Sequence, residues 1–427
     1  MNKTKETFVF GFALFAGFFG AGNLILPPML GYNSGHDWWL VALGFIISAT
    51  LIPLLSIFAH ARLQGTLFDF GKKVSPFFSL IFCLSVLIIA IALPCPRTAA
   101  VTHEIAIQPF FGTSALLTSI IYFVLVFIFV INRNQVLNLI GKYLTPIIVI
   151  IVLFIIGIGV ISPSIPMNPS EVKSPIVSGL LEGYQTYDAI AGMIMGGIII
   201  VSINNSNLNL SFEDKRKMIA KSGLIAMIGL FIIYAGLIAV GAFYNSQFEA
   251  TISRTDLLSG LAVKTLGRFG SAFLSVLVAL ACFTTAVAII VSVSDFFKVY
   301  FKQSQKAYLI TAITCCLIGI GVGHMEVKYI IDVALPALMF IYPLCIVLIL
   351  LNVIPEKYAS KLVFRSVVLV TFLFSIPDFL RFLLPEDNLK WITDLIPLAS
   401  EGLGWVLPAL VTFFGVSLLA SNKTKEA

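Results

Sequence analysis

Four stretches of the chain set polar groups inside otherwise apolar sequence. The first, Gly11 to Gly31, reads GFALFAGFFGAGNLILPPMLG. Its length suits a bilayer crossing, since about 20 apolar residues cover the hydrocarbon core. Its content does not suit a plain anchor. Gly17, Gly20 and Gly22 interrupt it, Asn23 puts an amide near mid-depth, and Pro27 and Pro28 remove two backbone donors. Each glycine weakens a helix by about 1 kcal/mol relative to alanine, so unwinding is expected around Gly20, Ala21, Gly22 and Asn23. Backbone released at that depth must be buried in protein or line a wet cavity. There its carbonyls can coordinate a cation and its N–H groups can hold a carboxylate. The competing reading is a continuous helix whose small residues serve close packing.

The second stretch, Gly183-Tyr184-Gln185-Thr186-Tyr187-Asp188 followed by Gly192, Gly196 and Gly197, has the same character. Asp188 falls near the middle of its apolar segment, where an acid costs about 2.5–3.5 kcal/mol on insertion scales and is a functional candidate. Alternatively, it satisfies backbone donors exposed by the break. In the third stretch, Ala281 to Thr285, Thr284 and Thr285 project about 100° apart on a helix and offer hard oxygens to a small cation. Hydroxyls in helices also bond their own carbonyls one turn back. Fourth, Arg97 falls between Pro96 and Thr98 at the end of an apolar segment. It attracts a carboxylate there, pairs with Glu104, or snorkels to the interface.

The elements that must hold these residues are legible from composition. The 427 residues are 59% hydrophobic and only 11% charged, against about 25% charged in soluble chains, which defines an all-α polytopic membrane protein. Apolar spans fall at 8–31, 38–60, 77–96, 114–131, 142–162, 176–203, 218–243, 269–294, 308–323, 329–354, 362–384 and 396–420. Twelve spans put both termini on one side. Of the 27 lysines and arginines, 19 fall on that side and 8 opposite, so the positive-inside rule makes both termini cytoplasmic. All four tryptophans, Trp38, Trp39, Trp391 and Trp405, fall at the opposite interface, as an aromatic belt requires.

The net charge of +6 thus follows membrane topology and does not call for nucleic acid. Six cysteines lie mostly within spans without metal-type spacing and read as small apolar packers. The four histidines make no cluster. Lys3, Lys5 and the following apolar run invite a cleaved-signal reading, but apolar character continues past any cleavage site. No GxxxxGK[ST] stretch points to ATP, no arginine ladder to a voltage sensor, and no TVGYG filter to a potassium channel. Secondary transport leads; a receptor or sensor would bind without moving its ligand, and no soluble output domain is present to serve it.

Secondary carriers are often inverted repeats with broken helices at matching positions. The glycine-flanked run of span 6 is the partner of that in span 1. The chain therefore divides into repeats at 1–162 and 163–354, with spans 11 and 12 (355–427) peripheral.

The first stretch resembles the first-helix signature of the branched-chain amino acid:cation symporter family, the bacterial system II carriers. PRTAAVTHE (Pro96 to Glu104), EGYQTYDAIAG (Glu182 to Gly192) and ACFTTAVA (Ala281 to Ala288) are also similar to family motifs, in matching order over essentially the whole chain. The resemblance implies a leucine-transporter-like fold, the bacterial cytoplasmic membrane, no enzyme activity and no resident cofactor. It also implies uptake of leucine, isoleucine and valine, usually with sodium; Asp188 leaves a proton open as the coupling ion. Carried over, the sodium site matches the carbonyls of Ala16, Phe19 and Ala281 and the hydroxyls of Thr284 and Thr285. The substrate backbone would lie against Gly20, Ala21, Gly22 and Asn23, opposite Tyr184, Gln185, Thr186, Tyr187 and Asp188, with Arg97 in its approach. Phe15, Phe18, Phe19, Ile190 and Met193 would supply an apolar pocket.

Overall fold

A computed structural model describes residues 3–132, 145–161, 166–205, 211–385 and 388–423. Among them there is no strand, and helices account for all twelve expected spans. Two spans are interrupted by more than one residue. Span 1 consists of half-helices 1a (Lys3–Phe18) and 1b (Ala21–Ser34), and span 6 of 6a (Pro175–Tyr184) and 6b (Asp188–Asn205). Span 2 runs from Trp38 to Leu63 through a wide turn at Ile47–Leu51. Spans 7, 8 and 10 are continuous at Phe212–Phe243, Gly270–Tyr300 and Val327–Val353. Spans 4, 5, 9, 11 and 12 occupy Ala115–Ile131, Thr145–Ile161, Gln305–Gly323, Lys361–Leu380 and Val406–Lys423. The start of the expected fifth span, the repeat boundary at 162/163, and Arg133, Lys142 and Lys425 of the charge count lie outside the described residues.

Two expectations need correction. Span 3 does not end at residue 96 but continues to Phe111. Its second half, Pro94–Thr102, reads PCPRTAAVT, too polar for a lipid-facing helix, yet every one of its residues is buried by neighbouring spans. Hydropathy therefore ended the span where protein, rather than lipid, becomes its surroundings. A separate helix, Arg254–Leu266, also occupies what reads in sequence as a loop.

The packing explains why spans 1, 2, 6 and 7 form the heart of the bundle. Half-helices 1a and 1b pack along span 7, and 6a and 6b along span 2. Span 3 lies on span 8, span 4 on span 9, span 5 on span 7, and span 10 on span 2. Exchanging each span with the one five places on reproduces this set of neighbours, as a five-plus-five repeat demands. Glycines at equivalent places permit the approach. A Cβ on Gly31 or Gly241 would strike a carbonyl across the 1b–7 contact, and one on Gly44 or Gly179 would do so across the 2–6a contact. Small residues of this kind bring helix backbones together where lipid offers no hydrophobic drive. The outward faces are apolar instead: Ile121, Val124, Leu125 and Ile128 of span 4 are all exposed, a surface fit for acyl chains rather than water.

Candidate functional site

The interruption in span 1 is narrower than the glycines suggest. Only Phe19 and Gly20 leave the helix, and Ala21, Gly22 and Asn23 form the first turn of 1b. Gly20 is extended (φ −121°, ψ −164°), and its N–H donates to the Asn23 side-chain oxygen at 3.1 Å. Asn23 thus caps the half-helix it belongs to. Pro27 and Pro28 lie inside 1b. They have no N–H to offer the carbonyls one turn back, at Asn23 and Leu24.

In span 6 the interruption is Gln185–Tyr187. Thr186 Oγ1 donates to the Gly183 carbonyl at 2.8 Å and accepts from the Asp188 N–H at 3.2 Å, closing 6a and opening 6b with one hydroxyl. Tyr187 carries the chain through a left-handed conformation, φ +63°, which costs a non-glycine residue on the order of 1–3 kcal/mol. Asp188 then falls in the first turn of 6b, where the helix dipole favours an acid.

The two interruptions face each other. Asn23 Nδ2 donates to both Asp188 oxygens, at 3.0 and 2.9 Å. Tyr234 of span 7 donates to Asp188 Oδ2 at 2.7 Å and also bonds the Asn23 amide. Asp188 is 1% exposed, so this set of donors is what makes a buried carboxylate tolerable.

Arg97 is not at the outer end of a span, and it does not pair with Glu104. It is 3% exposed, donates from Nη1 to the Gln185 carbonyl at 2.9 Å, and lies 5.2 Å over the Tyr187 ring. Its Nη2 borders Gly22 so closely that a Cβ there would collide with it. Glu104 instead accepts from Thr255 and from the Val327 N–H, both at 2.9 Å. The long third span carries its arginine inward, between the two breaks.

These groups line a cavity between the two interruptions. Gly20, Ala21, Gly22, Asn23, Arg97, Thr186, Tyr187, Asp188 and Thr285 border it, together with Phe18 and Ile190. Phe15, Phe19 and Met193 are buried elsewhere in the core and do not border it. Tyr184 and Gln185 do not line it either. Tyr184 stacks on Tyr342 with ring centres 4.3 Å apart, and Gln185 Nε2 donates to Glu182 at 2.8 Å, with Glu182 in turn ion-paired to Arg254.

Of the expected cation ligands, Thr285 and Phe19 meet, with Thr285 Oγ1 3.4 Å from the Phe19 carbonyl. Thr284 Oγ1 donates to the Ala281 carbonyl at 3.0 Å, the local bond that hydroxyls in helices commonly make. Ala16 and Ala281 are buried, in 1a and span 8.

Sequence reasoning missed Tyr234, Ile194, Met195, Ile289 and Ser292, the last four bordering the cavity. For two of them a signal existed, because Ile289 and Ser292 follow Thr285 at i+4 and i+7 on one face of span 8.

Two interrupted helices meeting at a cavity inside a polytopic bundle define a membrane transporter of leucine-transporter-like fold. The solved structures agree on the fold. The nucleobase-cation-symport-1 family transporter Mhp1, closed with bromovinylhydantoin bound, superposes with a TM-score of 0.62 over 98% of this chain and 92% of its own, at 12% identity. A Na+-coupled sialic acid symporter in a substrate-bound outward-open state gives 0.60 over 97% and 89%, at 13% identity. The chain belongs to the branched-chain amino acid transport protein family, whose model matches residues 3–423. It is 31% identical to the branched-chain amino acid transport system 2 carrier protein of Pseudomonas aeruginosa, over 96% of this chain and 94% of that one. It is also 31% identical to the branched-chain amino acid permease BraB of Bacillus subtilis, over 95% and 94%. The family is one of carriers, not enzymes.

Proposed function

We propose that the protein takes up leucine, isoleucine and valine by symport with sodium across the bacterial cytoplasmic membrane, both termini being cytoplasmic. The observation that carries this reading is the meeting of the two broken helices, Asn23 of 1b against Asp188 of 6b, at the cavity. An amino acid is a zwitterion and needs opposed polar ends. The free N–H groups of the first turn of 1b, with Arg97 beside them, suit its carboxylate. Asp188 and the freed carbonyls suit its ammonium. Phe18, Ile190, Ile194, Met195 and Ile289 suit a branched apolar side chain. Such a pocket separates the three substrates poorly, at about 1–3 kcal/mol per methylene. The names of the relatives as branched-chain amino acid carriers support the same substrates.

Sodium is supported by the Thr285 hydroxyl beside the Phe19 carbonyl, two hard oxygens joining span 8 to the break in span 1. Thr284 completes the set if its hydroxyl turns from Ala281. In this reading the repeats 1–162 and 163–354 move against each other about the site, with 355–427 at the periphery. A second reading, proton coupling, draws on Asp188, an ionisable group on the cavity wall. Leucine binding to purified protein in sodium and in potassium separates them. Coupling of about tenfold or more in favour of sodium is expected, and equal binding in both salts removes sodium from the reading.

A further inference from the structure

The apolar wall of the cavity has one adjustable member. Among the described residues that border it, Phe18, Tyr187, Ile190, Ile194 and Ile289 are aromatic or branched at Cβ, and Met195 is the one long unbranched apolar side chain. Branching at Cβ stiffens χ1, whereas a thioether with three rotatable bonds fills whatever shape is left to it. On 6b, Asp188, Ala191 and Met195 follow one another at i, i+3 and i+7 and form one face; all three border the cavity. Side chains on a helix lean towards its N-terminus, so Met195 leans back towards Asp188 and the break. Ala191, between them, is too small to fill the intervening space.

The thioether end rests on Gly17, in the last turn of 1a, where a Cβ would collide with both Sδ and Cε of Met195. Half-helices 1a and 6b pack on each other, and both residues border the cavity. The missing side chain at 17 is therefore the recess into which the methionine tip is drawn back. We infer that Met195, seated on Gly17, sets the length of side chain this site accepts, an assignment that rests on the branched-chain substrates proposed above.

Valine ends one carbon short of leucine and isoleucine. A wall that withdraws by about a methyl group takes all three, and one pushed forward by a methyl group takes valine best. A methylene that fits or fails to fit changes affinity about 10–200-fold. The collision at Gly17 is with the far end of a flexible side chain and not with backbone, so Gly17→Ala moves the methionine rather than the helices, and the open space it moves into is the cavity. Alanine also suits the last turn of 1a better than glycine. The other two glycines of this stretch face polar groups instead: a Cβ on Gly20 meets the Thr285 hydroxyl, and one on Gly22 meets Arg97 Nη2. Gly17 is thus the glycine that serves the apolar end of the substrate.

Displacement of labelled valine from the purified protein, in sodium, by leucine, isoleucine and phenylalanine tests this, because affinity ratios do not depend on the yield of each variant. In Gly17→Ala the valine-to-leucine affinity ratio should rise about tenfold or more. In Met195→Ala the ratio should fall and phenylalanine should compete. Adding Gly17→Ala to Met195→Ala should then change nothing further, because no thioether is left to displace. An unchanged ratio in Gly17→Ala, or the same shift from Gly17→Ala with and without Met195, would overturn the inference while wild-type binding stands. Wild-type protein that binds no valine, or from which leucine displaces none, would instead overturn the substrate reading and this assignment with it.

Discussion

The Asn23 amide donates to both Asp188 oxygens, at 3.0 and 2.9 Å, and so ties the first turn of one half-helix to the first turn of the other. With Tyr234 as third partner, the carboxylate is the joint at which both broken spans meet. An asparagine at 188 offers one acceptor oxygen where the carboxylate offers two. Hydrogen bonds to a charged group are worth about 1.5–3 kcal/mol, so Asp188→Asn should lower leucine affinity by about ten- to a hundredfold and abolish uptake at every pH. Uptake and leucine–leucine exchange measured across pH check this. Exchange that survives while proton-driven uptake fails would make Asp188 a proton carrier instead.

The hydroxyls of span 8 should contribute unequally. Thr285 faces the Phe19 carbonyl at 3.4 Å, whereas Thr284 bonds the Ala281 carbonyl of its own helix. Thr285→Ala is expected to raise the sodium concentration for half-maximal uptake about tenfold or more, corresponding to about 1.4 kcal/mol, with protein abundance near normal. Thr284→Ala should shift it less. Unchanged sodium dependence in the double variant would discard this pair as ligands.

Gly22 leaves no room for a side chain, because a Cβ meets Arg97 Nη2. Gly22→Leu should therefore insert into the membrane but bind no leucine, while Gly415→Leu, with open space around its Cβ position, should behave as wild type. Near-normal leucine affinity in Gly22→Leu would place substrate elsewhere.

Arg97 holds the Gln185 carbonyl and lies over Tyr187. A lysine has a point charge and no planar fork, so it cannot do both while still facing a carboxylate. Arg97→Lys should weaken leucine binding by about tenfold or more, yet change little for 3-methylbutylamine, the same side chain without the carboxylate. Equal losses for both ligands would assign Arg97 to holding the break rather than to the substrate.

Much of this site is legible in the sequence, and the reasons are local. Glycines at 20 and 22 and the polar run at 185–188 lower helix stability wherever the chain is placed, so both breaks could be located to within a few residues. Asn23 narrows the first break by capping 1b, a geometric effect that spacing alone does not reveal. Arg97 was misplaced because PCPRTAAVT reads as the end of a span, and only the surrounding helices make a polar helix viable there. Tyr234 carried no signal. A tyrosine in an apolar run looks like packing until Asp188, 46 residues away in the chain, is found against its hydroxyl.

Labelled leucine uptake into proteoliposomes under imposed ion gradients tests the central claim most directly. An inward sodium gradient should concentrate leucine inside, isoleucine and valine should compete, and accumulation should collapse when sodium is equal on both sides. Accumulation driven equally well by a proton gradient without sodium, or leucine binding with no accumulation under either gradient, would contradict the account.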